Sequence, residues 1–146
     1  MLPGYEGRAT PPSRRTPGSA GYDLAAAEDV VVPPRGVALV PTGLRAVMGP
    51  GEFLALYVRS SLAVRRGLML ANGTGIVDQD YAGNPDNGGH ILVALYNPGD
   101  APVHVARGER VAQGIFQRFL VVDEEAPPGA CARAASAARG ASRPGA

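Results

Sequence analysis

Lysine and tryptophan are absent from this 146-residue chain, cysteine occurs once, and aromatic residues make up only 5% of it. Without lysine there is no Schiff-base amine and no phosphate-cradling lysine of the Walker type; all 14 basic residues are arginine, a bias read here as genomic base composition. The single Cys131 excludes an intrachain disulfide and any multi-cysteine metal site, and it fits a reducing compartment. No apolar run approaches the roughly 18–20 residues of a membrane span, and the first residues contain no signal-peptide core. The expectation is a soluble, cytoplasmic protein with no membrane partner. Charge of neither sign dominates: 14 basic and 13 acidic residues give a net charge of +1. That balance leaves no electrostatic footprint for nonspecific nucleic-acid binding.

What is abundant is glycine and proline, 20 and 14 residues respectively. Their combined share lies just below the roughly 25–30% that marks disordered composition. The chain is nevertheless 45% hydrophobic, enough for one core. Breakers this frequent exclude long helices and favour short strands joined by tight turns. The spacing predicts strands at Tyr22–Ala26, Asp29–Val32, Gly36–Pro41, Leu44–Val47, Glu52–Arg59, Leu68–Asn72, Thr74–Asp78, His90–Tyr96, Val103–Ala106 and Arg110 to about Val122. A further short strand around Leu2–Tyr5 is compatible with the pattern. The fold class is therefore all-β, a jelly-roll-like barrel or sandwich. Residues 1–125 form the single domain, with 1–19 mostly linker-like, and 126–146 form an Ala/Gly/Pro-rich flexible tail. Asn72-Gly73, between two apolar runs, predicts a hairpin with a type I′ turn.

One segment reads as a helix. Ser60 to Arg66 begins with capping hydroxyls, ends in two arginines and stops at Gly67. With Arg59 in front of it, this is either an ordinary capped surface turn or an anion cradle, since helix N-termini attract phosphate.

Four ordered stretches resemble the motifs of the trimeric dUTP diphosphatases (dUTPases). They are Ala20-Gly21-Tyr22-Asp23-Leu24 with Ala26-Ala27-Glu28-Asp29, then Arg59-Ser60-Ser61-Leu62-Ala63, then Asn72 through Gly83, and finally Gly108 through Phe116. The resemblance spans residues 20–116. It implies a dUTPase-type jelly roll, a homotrimer whose sites draw on more than one subunit, and Mg2+-dependent cleavage of dUTP to dUMP and pyrophosphate.

Carried over residue by residue, the resemblance implies that Asn72 and the backbone at Gly73 read the uracil edge, an amide offering both donor and acceptor. Tyr81, which alone reads as a half-buried tyrosine at a strand end, would pack on the deoxyribose and exclude a 2′-hydroxyl. Asp78 would orient and deprotonate the attacking water, and Gln113 would hydrogen-bond a phosphate or that water. Arg59, Ser60 and Ser61 would hold the phosphates. Arg110 orders its motif, and Asp23 reads as a partner for an arginine rather than a metal ligand. No protein group is a direct metal ligand; Mg2+ is held mainly by triphosphate oxygens and water, as suits an ion that keeps its waters. Asp80 reads as a turn cap, His90 and His104 need no functional role, and Asn84 through Gly89 form an inserted loop.

The chain departs from the family at its end. The fifth motif is a glycine-rich arm with an arginine for the γ-phosphate and a phenylalanine that stacks on uracil. Here nothing after Phe119 is aromatic; Arg139-Gly140-Ala141-Ser142 is the nearest match, with Arg133 as another anchor. An alternative function follows: a dUTP-binding regulatory protein with weak or no catalysis. A dCTP deaminase reading fails, because Ala94 stands where that family needs a glutamate.

Overall fold

The alternation of apolar residues and breakers folds into nine short strands and one helix in the computed structural model, which describes residues 1–129. A four-stranded antiparallel sheet has the order β1-β9-β4-β6, from β1 (Tyr22–Ala25), β9 (Arg110–Arg118), β4 (Glu52–Val58) and β6 (Gly75–Val77). A three-stranded sheet has the order β3-β7-β5, from β3 (Gly36–Pro41), β7 (Leu92–Asn97) and β5 (Met69–Leu70). β2 (Val30–Val32) pairs with β8 (Val103–Val105) as a separate ribbon. The strands thus make a jelly-roll-like sandwich, as expected, and not a closed barrel. One core joins all three sheets: Val32, Val40, Leu68, Val93, Leu95, Val105 and Val111 are all fully buried.

Several expected elements change. Leu44–Val47 is not a strand. Its alternation is real, with Leu44 and Ala46 buried and Val47 exposed, but no neighbouring strand supplies a ladder there. β9 ends at Arg118 rather than near Val122, because its partner begins at Glu52, directly opposite Arg118. Leu2–Tyr5 is a turn, and residues 1–19 are not a loose linker. Leu2 and Ala9 are buried, the Leu2 amide donates to the Gly43 carbonyl at 2.8 Å, and Ser13 bridges to Asp23.

The Asn72-Gly73 turn also differs from expectation. β5 and β6 belong to different sheets, so the turn is a crossover and not a two-stranded hairpin. Gly73 has the left-handed φ of +72° but Asn72 does not, which excludes type I′. Instead the Gly73 amide donates to the Leu70 carbonyl at 3.0 Å and the Thr74 amide to the Asn72 carbonyl at 2.8 Å. The chain reverses in two tight steps.

Candidate functional site

The phosphate-side residues assemble across the middle of the larger sheet. Asp23 of β1, Gln113 of β9 and Tyr57 of β4 lie in one cross-strand row, so two-residue periodicity puts their side chains on a common face. β4 ends at Val58, and Arg59 turns the chain into α1 (Ser60–Arg66). The helix stops as the sequence predicts: Gly67 takes a left-handed φ of +68° and its amide bonds the Ala63 carbonyl. Its start differs, since Arg59 is the capping residue and makes no side-chain cap. Ser60 and Ser61 are therefore the first helical residues, with exposed hydroxyls.

Asp23 ties these elements together. One carboxylate oxygen lies 2.9 Å from Arg59 Nε and the other 3.1 Å from Arg110 Nη1. The Asp23 and Arg59 side chains are only 11% and 18% exposed, so this pair is shielded from water. Its role as an arginine partner is thereby observed, and Arg110 takes part in that pairing. Because Asp23 takes Nε, the terminal nitrogens of Arg59 are left for another anion. Gly21 leaves room for the Gln113 amide: a Cβ there would lie 2.6 Å from Gln113 Oε1. A cleft of about 300 Å3 is lined by Arg15, Gly21, Asp23, Arg59, Ser60 and Gln113. A second cleft of about 400 Å3 lies against the same helix, bordered by Arg59, Ser61, Arg65, Arg66 and Arg110. Arg15 was missed by sequence reasoning; its segment had the composition of a linker, and only the Arg14-Arg15 pair beside the first motif hinted otherwise.

The nucleoside-side residues lie elsewhere. Asn72 and Asp78 are exposed, and among the described residues nothing hydrogen-bonds or pairs with the Asp78 carboxylate. Gly75 lies against Leu56, where a Cβ would come within 3.0 Å of that side chain. A 3-10 turn, Tyr81–Gly83, follows Asp78, and the Tyr81 amide donates to the Asp78 carbonyl at 3.1 Å. Asp80 precedes this turn but its side chain caps nothing, contrary to expectation. Tyr81 is half-buried; its hydroxyl donates to the His90 carbonyl at 3.1 Å and accepts from Asn87 Nδ2 at 2.8 Å.

His90 carries more structure than its sequence context suggested. It is 8% exposed, accepts the Gly43 amide on Nε2 at 2.9 Å, and packs edge-on against Tyr5. Burial holds its pKa below the usual 6.5, against an opposing pull from Glu28, so the neutral ring that can accept this bond is favoured.

Within one chain Asp78 and Arg59 do not meet. Val77 pairs with Leu54, which puts Asp78 at the Phe53 end of β4, whereas Arg59 follows its other end. Six residue steps separate Phe53 from Arg59, about 20 Å at ~3.3 Å per residue. Neither cleft beside α1 is lined by Asn72, Asp78 or Tyr81. Arg139 and Arg133 lie outside the described residues, as does Cys131.

Comparison with known proteins supplies the family. A family model described as dUTPase matches residues 8–142. A deoxyuridine 5'-triphosphate nucleotidohydrolase of Lactococcus lactis is 49% identical over 112 residues, covering 77% of this chain and 75% of that protein. The crystal structure of a dUTPase from Streptococcus mutans superimposes with a TM-score of 0.76 at 43% identity, over 80% of this chain and 94% of that one. A mutant dUTPase from phage phi11 of Staphylococcus aureus, whose structure concerns coordination of a structural Mg(II) ion, gives a TM-score of 0.70 over 83% of this chain and 91% of that one. At 20% identity the phage likeness is one of fold alone. The family match runs through all four sequence motifs and the fold agrees with that of a solved relative, so the chain belongs to the dUTPase family.

Proposed function

We propose that the chain hydrolyses dUTP to dUMP and pyrophosphate, by attack of water on the α-phosphate, in a homotrimer whose sites are shared between subunits. The single observation that carries the shared site is the separation along β4. Asp78 and Arg59 are about 20 Å apart along the strand, too far to act on one triphosphate from the same chain. A neighbouring copy brings the Asp78 end of one subunit to the Arg59 end of another.

The smaller sheet supports assembly. Its inner face is buried through Val40, Val93 and Leu95, yet its outer face is also apolar, with Val37, Leu39, Met69 and Leu92 exposed by 37–57%. Antiparallel sheets that face water normally alternate apolar with polar residues. A two-sided apolar sheet calls for a cover, and a second copy of the chain supplies one.

In this reading Asn72 and the backbone at Gly73 bind uracil, and the Tyr81 ring packs on the deoxyribose. With its hydroxyl already bonded on both the donor and an acceptor side, Tyr81 offers the sugar its ring. Asp78, exposed to solvent, takes a proton from the attacking water. Gln113, between Asp23 and Tyr57 on the neighbouring strands, bonds a phosphate or that water. Arg59, oriented by Asp23, and the hydroxyls of Ser60 and Ser61 bind phosphate oxygens, and Arg139 of the tail contributes charge at the far phosphate. Among the described residues no three His, Cys, Asp or Glu side chains converge as a metal cage. In this reading Mg2+ is carried on triphosphate oxygens and water, where it offsets phosphate charge. No helix among the described residues is long and apolar enough to cross a membrane.

The named relatives favour hydrolysis over the binding-only alternative. The test is dUTP turnover with Mg2+, for the full chain and for Asp78→Asn. We expect turnover by the full chain and a loss of at least about 100-fold in the variant, the scale of general-base catalysis. Binding without turnover by the full chain would sink the enzymatic reading, and unchanged turnover by Asp78→Asn would sink the role of Asp78.

A further inference from the structure

We infer that Asn87 is a positioning residue for sugar discrimination, and that the loop from Asn84 to Gly89 is a clip that fixes the Tyr81 ring. The inference rests on the reading of Tyr81 as the residue that packs on the deoxyribose. The Tyr81 backbone is fixed by the 3-10 turn, with its amide on the Asp78 carbonyl and its own carbonyl accepting the Asn84 amide at 3.0 Å. A turn alone leaves the ring free to rotate about its side-chain bonds. The hydroxyl removes that freedom: Asn87 Nδ2 donates to it at 2.8 Å and it donates to the His90 carbonyl at 3.1 Å. Both partners belong to the loop or its immediate end.

The loop is built to hold Asn87 still. Asn87 Oδ1 accepts the Gly89 amide at 3.0 Å, which fixes which end of the amide faces the tyrosine. The Asn84 side chain accepts the Asp86 amide at 2.8 Å, and the Asn84 carbonyl accepts the Gly88 amide at 2.9 Å. Gly88 and Gly89 both take left-handed φ, +66° and +79°. A Cβ on Gly89 would lie 2.6 Å from Ala82 Cα and 2.7 Å from the Tyr81 carbonyl. The loop therefore sits directly on the back of the tyrosine turn, and His90, buried against Tyr5 and bonded to Gly43, anchors its end in the core.

A steric gate works only as well as its wall is fixed, because a ring that can swing away admits the extra hydroxyl of a ribonucleotide. Asn87 touches the tyrosine and not the substrate, so its removal acts on selectivity. The experiment measures kcat/KM for dUTP and for UTP in the full chain and in Asn87→Ala, Tyr81→Phe, the double variant and Tyr81→Ala, with Tm as the check on folding. Asn87→Ala should lower the dUTP:UTP ratio by about fivefold, the worth of one hydrogen bond. Tyr81→Phe, which removes this bond together with the one to the His90 carbonyl while keeping the ring, should lower the ratio at least as much, and the double variant should fall no further than Tyr81→Phe. If Asn87→Ala does not fold, the Tyr81→Phe ratio decides alone. A ratio unchanged in Asn87→Ala or Tyr81→Phe but lowered in Tyr81→Ala overturns the clip and leaves the sugar-packing reading standing. A ratio unchanged even in Tyr81→Ala overturns that reading and the clip with it.

Discussion

At the scale of single residues, the site depends on side chains that other side chains hold. Arg59 suits the phosphate role proposed for it because Asp23 fixes its Nε. Gln113 keeps its place because the residue facing its amide is Gly21, where no Cβ intrudes. Gly21→Ala puts a methyl group 2.6 Å from Gln113 Oε1, the far end of a flexible side chain. The amide can swing aside at little cost to the fold but not at little cost to the chemistry. We expect turnover of dUTP to fall about 10- to 100-fold, the scale of a displaced positioning group. The Tm should stay within a few degrees; a fall in Tm that matched the loss of turnover would mean that Gly21 serves the fold instead. Much of this scale was legible in advance. The pairing of Asp23 with arginine followed from the motifs, whereas Arg15 did not, because a Pro/Arg-rich segment carries no pattern that reports where it packs.

At the scale of elements, periodicity reported burial more faithfully than it reported pairing. Gly36–Pro41 was read with its observed bounds, and α1 ended at its glycine. Leu44–Val47 has strand alternation without a strand, and β9 stops where its partner runs out. Strand length is set by the neighbour, which a single segment does not encode. The same reason explains the turn at Asn72-Gly73. Its residues are those of a hairpin, but its flanking strands pair with β7 and β4 in different sheets. Gly73 keeps its left-handed φ of +72°, with nothing within 4 Å of a Cβ built there. Gly73→Ala therefore meets backbone strain and no steric clash. We expect a stability loss of about 1 kcal/mol in urea unfolding and a raised KM for dUTP. An unchanged KM with the stability loss present would remove this turn from the uracil site.

At the scale of the whole molecule, the sequence motifs suggested the site residues without saying whether one chain can bring them together. That information lies in the register of β4, which puts Asp78 at one end of the strand and Arg59 beyond the other. The apolar outer face of β3-β7-β5 shows that the fold is left with a surface to cover. The most direct test mixes two inactive variants, Asp78→Asn and Arg59→Ala, unfolded together and refolded at equal amounts. If each site takes Asp78 from one subunit and Arg59 from another, random assembly leaves both groups intact in about a quarter of sites, and dUTP turnover returns to about that fraction of the unmodified protein. If both groups act within one chain, every site carries one lesion and no mixture recovers activity.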